Sequence, residues 1–149
     1  MRGFSYKDWL IEDLRSLERN RGAVEQMMFE LQTIEAEFTA IKATNYDKMP
    51  TASGVNFAEE RMLTAIAKKT ELEADLKATA LHVEDMDRLL RTIPDDELLV
   101  VKRMLVNRER GAVENLMSEL NVEKSQIYRI RDRALLHLAK SRYGQGFKP

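Results

Sequence analysis

The chain has 149 residues, of which 33% are charged and 44% apolar, with a formal net charge of −1, six glycines, three prolines and no cysteine. That length suits one domain, or a small domain joined to an extended element, and the charge-laced, glycine-poor composition with almost no strand signal indicates an all-α protein. The lack of cysteine excludes a disulfide framework and thiolate metal sites, no run approaches the roughly eighteen apolar residues of a membrane span, and the N-terminus has no signal-peptide core, so the setting expected is the bacterial cytoplasm.

The first long helix is expected from Tyr6 to Ala43. Ser5 with Asp8 three residues on makes a capping box, and Phe4 with Trp9 fits the hydrophobic staple across it. Apolar residues follow at Leu10, Leu14, Leu17, Val24, Met28, Leu31 and Phe38, widened by Met27, Ile34 and Ile41 into a heptad-like seam. Gly22 costs about 1 kcal/mol relative to alanine in a helix interior and marks a candidate kink. Residues 44–56 form the main loop, where Asn, Pro, Ser and Gly cluster and the periodicity lapses.

Asn56, with Glu59 at the third helical position, caps a second long helix. Its stripe runs through Met62, Ile66, Leu72, Leu76, Thr79, Val83, Met86 and Leu90 to Ile93. Two helices of similar length, each about 55 Å at about 1.5 Å per residue, suggest an antiparallel hairpin over residues 1–92. The alternative is that each stripe seeks a second chain, giving a homodimer. Either way the hairpin is the expected oligomerisation or partner-binding part.

Pro94 opens a third helix whose first turn carries Asp95, Asp96 and Glu97, the charge that helix end prefers. Leu98, Leu99, Val101, Met104 and Leu105 supply its buried face, and residues 108–111 form a polar turn. Val113, Leu116, Met117 and Leu120 then recur at helical spacing, as do Ile127, Ile130, Ala134, Leu135 and Leu138. Between them Asn121 to Lys124 is too short for anything but a turn. Asn tolerates the left-handed backbone a turn needs, and Val122 plugs the angle. Two short helices around such a turn, the second rich in cations, have the sequence form of a helix-turn-helix. A three-helix core of about fifty residues is marginal alone and is expected to lean on the end of the hairpin.

Charge follows the same division. From Glu123 to Pro149 seven basic residues face two acidic ones, whereas the rest of the chain is net acidic. A cationic segment on an acidic body suits a phosphate-binding module; the competing reading is a solvated amphipathic helix. The two histidines, His82 and His137, have no carboxylate or cysteine at metal-ligand spacing, and the sequence holds no phosphate loop or nucleophile elbow. No enzyme activity and no cofactor are expected.

Glu119-Leu120-Asn121-Val122, then Ile127, Ile130, Arg133-Ala134-Leu135 and Leu138, resemble the second half of region 4 of sigma-70-type factors, whose helix-turn-helix reads promoter DNA. The likeness is nearest to phage and prophage transcription regulators of the RinA and ArpU type and covers about Ile93 to Tyr143. A weaker echo lies at Asp47-Lys48-Met49-Pro50 and Gly54. The chain differs from that pattern at Glu123, where Ser or Thr usually caps the recognition helix, and at Asn121, where Gly is usual.

The resemblance implies a sigma-region-4-like helix-turn-helix domain at 93–143, with a flexible tail at 144–149. It also implies a phage-derived, cytoplasmic, nucleoid-associated transcription regulator that binds double-stranded DNA and touches RNA polymerase. On a helix expected over 124–139, Ser125, Gln126, Tyr128 and Arg129 are the candidate base contacts, Gln126 and Arg129 having donors suited to adenine and guanine edges. Lys124, Arg131, Arg133, Lys140 and Arg142 are the candidate phosphate contacts. Two other functions fit the same organisation: a small-terminase-like DNA-packaging protein, and a helical protein–protein adaptor that does not bind DNA.

Overall fold

A computed structural model describes residues 5–47, 57–144 and 146–148. The chain is all-α, a long hairpin of α1 (Tyr6–Asp47) and α2 (Phe57–Leu90) followed by the shorter α3 (Asp95–Val101), α4 (Ala112–Leu120) and α5 (Lys124–Tyr143) packed together. The two long helices therefore pair within one chain. Two compact units share it: a base made of residues up to Asn20 and from His82 onward, and an arm from Arg21 to Leu81.

The capping box forms, with the Ser5 amide and hydroxyl both donating to Asp8 Oδ2 at 3.0 Å. Phe4 lies outside the described residues, and Trp9, its expected partner, is 53% exposed. α1 runs unbroken through Gly22 and continues to Asp47, four residues past the expected end. Thr44 and Asn45 are weak helix formers but not breakers. The rest of the expected loop, and the Asn56 cap, lie outside the described residues.

In the arm, the α1 residues turned inward are Val24, Met27, Leu31, Ile34, Phe38 and Ile41. Met28, expected on the seam, is 52% exposed, and on α2 the expected Ile66 is exposed while its neighbour Ala65 is buried. A strict heptad continued from Leu17 selects Met28. The α1 stripe instead passes from Val24 to Met27 and then alternates steps of four and three to Ile41, while on α2 Met62, Ala65, Lys69, Leu72 and Leu76 alternate steps of three and four. Glu37 pairs with Arg61 at 3.8 Å, and Lys69 stands 5.7 Å from the Phe38 ring centre, so charged stems flank a narrow apolar strip.

The base has two apolar clusters. One joins Leu10, Leu14 and Leu17 of α1 to Met86 and Leu90 of α2, to Val101, Leu105 and Val106, and to Ala134, Leu135, Leu138 and Ala139 of α5. This is how the short helices lean on the end of the hairpin. The other gathers Val100, Leu116, Ile127 and Ile130, with Met117, Leu120 and Val122 at its edge. The expected inner face of α3 needs correcting. Leu98, Leu99 and Met104 are only partly buried, and Val100, Val106 and the charged Glu97 are inside.

That shift has a local cause. α2 ends at Leu90 rather than Ile93, its hydrogen bonds tightening until the Thr92 amide meets the Leu89 carbonyl at 3.0 Å. Pro94 then caps α3 from outside in extended backbone (ψ 159°), its carbonyl accepting the Leu98 amide at 2.9 Å. After Val101 the helix widens into one π turn over Lys102–Val106, closed by the Asn107 amide on the Lys102 carbonyl at 2.8 Å. The extra residue per turn lets the adjacent Leu105 and Val106 both face the core. Within residues 144–149, expected to be a flexible tail, Phe147 packs on the first cluster, its ring 4.9 Å from Tyr6 and 5.5 Å from Tyr143.

Candidate nucleic-acid interface

α4 begins after Gly111 (φ 71°), a left-handed position that glycine adopts without steric cost, and ends at Asn121 (φ 54°, ψ 50°). Asn121 thus takes the left-handed conformation the short turn requires. The Val122 amide returns to the Met117 carbonyl at 3.2 Å, the closure of a Schellman motif, and Val122 joins Met117 in the second cluster. Backbone and side chain together fix the angle between α4 and α5. Arg103 reinforces it from the π turn, reaching Glu119 at 2.6 Å and Glu109 at 4.0 Å. Donation to the Glu119 carboxylate holds the pKa of that guanidinium above its usual value.

Glu123 stands in extended backbone and its side chain makes no capping bond, so no side chain covers the first amides of α5. Ile127 and Ile130 point inward as expected, as do Ala134, Leu135 and Leu138. Of the candidate base contacts, Ser125 and Arg129 are exposed, while Gln126 and Tyr128 are half-buried. Tyr128 lies under the Arg131 guanidinium at 4.9 Å and lines a hollow of about 350 Å³ with the basic Lys124 and Arg108 and the acidic Glu109 and Glu114.

The five candidate phosphate contacts separate. Lys124 and Lys140 are exposed with no ion pair among the described residues. Arg131 holds Asp132 at 3.2 Å, and Arg142 holds Asp13 at 2.5 Å. Arg133 donates through Nε to Glu97 at 2.8 Å and through Nη2 to Asp96 at 3.2 Å. The bond to Glu97 raises the Arg133 pKa above its usual value. Glu97 is only 1% exposed, and its second oxygen lies 2.8 Å from His137 Nδ1. This acid–base cluster ties α3 to the middle of α5. Lys140 lies about 24 Å along the helix axis from Lys124 at about 1.5 Å per residue. The open end is therefore Lys124, Ser125 and Arg129, with Arg108 across the hollow from Lys124, and Lys140, unpaired among the described residues, lies far along α5.

Sequence reasoning missed Glu97 and Arg108. An acidic residue in a first turn reads as a helix-end charge, and only the fold shows that Glu97 is enclosed. Arg108 lies in a loop with no periodicity to place it. Among the described residues, no cluster of three or more His, Asp or Glu side chains is arranged to hold a metal, and no helix is long and apolar enough to cross a membrane. No family model, curated protein or solved structure matches the chain.

Proposed function

We propose that the protein is a DNA-binding transcription regulator that docks α5 in the major groove. The observation that carries this reading is the left-handed turn at Asn121, which presents an exposed, cationic and uncapped first turn of α5 away from the core. Ser125 and Arg129 face base edges, Gln126 and Tyr128 contribute from the flank, and Lys124 takes phosphate with help from the bare helix end. Arg131, Arg133 and Arg142 hold the protein's own carboxylates in the free state, so phosphate contact by any of them requires exchange of partners. The sequence resemblance adds RNA polymerase as a second partner and a phage origin.

A salt titration of binding to duplex DNA tests the proposal. Affinity should fall steeply, with log K dropping against log salt by roughly 0.9 for each phosphate contacted. Absence of duplex binding at low salt sinks the regulator and leaves the adaptor. The mass in solution separates regulation from packaging: a monomer or dimer favours the regulator, and a ring of many copies favours the small-terminase reading.

A further inference from the structure

A cleft of about 400 Å³ lies in the base between the start of α1 and the turn before α4, lined by Arg15, Ser16 and Arg19 on one side and Arg108 on the other. The three guanidiniums make no ion pair or hydrogen bond among the described residues, whereas Arg103, Arg131, Arg133 and Arg142 of the same unit each hold a carboxylate. Two acidic side chains also line the cleft, Asp8 and Glu12, and Asp8 is engaged by Ser5 at the helix start. Arg108 borders the neighbouring hollow as well, the one that Lys124 and Tyr128 line. Arg108 thus stands between Lys124 at the start of α5 and the two α1 arginines, with Glu109, which pairs with Arg103 at 4.0 Å, and Glu114 also lining the second hollow.

We infer that this cleft is a second grip on the DNA backbone, with Arg15 and Arg19 holding phosphates of the strand that passes Arg108 when α5 lies in the groove. The inference rests on the DNA-binding reading above and extends it to a helix outside the helix-turn-helix. Arg15 and Arg19 stand one turn apart, about 6 Å of rise along α1. They offer a row of donors rather than a converging cradle, and a row suits a run of phosphates better than a lone anion. Guanidinium is the group best matched to phosphate oxygens. The contact adds affinity without sequence preference, because phosphates carry no base identity.

The test is equilibrium binding of the full chain to duplex DNA, on its selected site and on random sequence, across a salt series. The Arg15→Ala/Arg19→Ala variant should bind both duplexes about threefold to tenfold more weakly and flatten the salt slope by about 2. Arg15→Lys/Arg19→Lys should recover most of the slope, since charge is kept and only the fork geometry is lost. If the wild type binds with a steep slope and the alanine variant matches it in affinity and slope, the α1 grip is overturned and the regulator stands. A wild type that binds no duplex at low salt overturns both. If it ignores duplex but inorganic pyrophosphate raises its melting midpoint, and not that of the alanine variant, the cleft is a small-anion site and the DNA assignment fails.

Discussion

The base and the arm are built from the same two helices, yet they are held differently. In the arm, Ile41 and Ala65 are the buried apolar residues among those described, while Met28, Phe29, Leu63 and Ile66 are left largely in water. The base encloses leucine, isoleucine and valine from all five helices. A two-helix layer has one contact line and encloses few side chains, whereas five segments enclose many. Length and heptad-like spacing therefore say little about how firmly a helix is held. Enclosure decides it, and the arm's backbone should exchange its amide hydrogens faster than the base.

The largest effect that would test this contrast is on stability. Leu135→Ala, at 1% exposure in the base, should cost about 2–5 kcal/mol by chemical denaturation, against about 1 kcal/mol for Leu31→Ala in the arm. Equal losses would mean that the arm is enclosed by something further, such as a second copy. Arg129→Ala should leave stability unchanged and weaken duplex binding by about 1–3 kcal/mol, relaxing preference at one base. A loss uniform over all sequences would reassign Arg129 to phosphate.

Arg133→Ala sharpens the division within α5. It leaves the enclosed Glu97 with His137 alone, so the melting midpoint should fall. An unchanged midpoint with a flatter salt slope would make Arg133 a phosphate contact instead. Smallest, and opposite in sign, is Gly22→Ala. A Cβ there meets nothing within 4 Å in an exposed stretch of α1, so the variant should gain about 0.5–1 kcal/mol in thermal or denaturant melts.

The sequence was legible where a local rule acts alone. The Ser5–Asp8 box, the turn at Asn121, the inward Ile127 and Ile130, and the hairpin with three short helices all follow from spacing and turn chemistry. It failed where one residue's phase matters. Met27 rather than Met28 and Ala65 rather than Ile66 face inward because the partner helix sets the phase of each stripe, and two adjacent apolar residues do not mark which of them is the inner one. The π turn left no apolar signature, so the burial of Val106 could not be foreseen. The candidate site was legible only in part. Spacing identified the outward positions of α5, but which cations are free depends on Glu97, Asp96 and Asp13, residues far away in sequence.

Val100 and Val101 are neighbours on α3, yet the first belongs to the cluster beneath α4 and α5 and the second to the cluster shared with the hairpin. One short helix is thus a party wall with a tenant on each side. A fragment cut at Ile93 would strip that wall of Leu10, Leu14, Leu17, Met86 and Leu90, and it should show no cooperative melt in calorimetry. The α4–α5 end is consequently not a portable cassette: grafted elsewhere, it must bring the root of the hairpin with it.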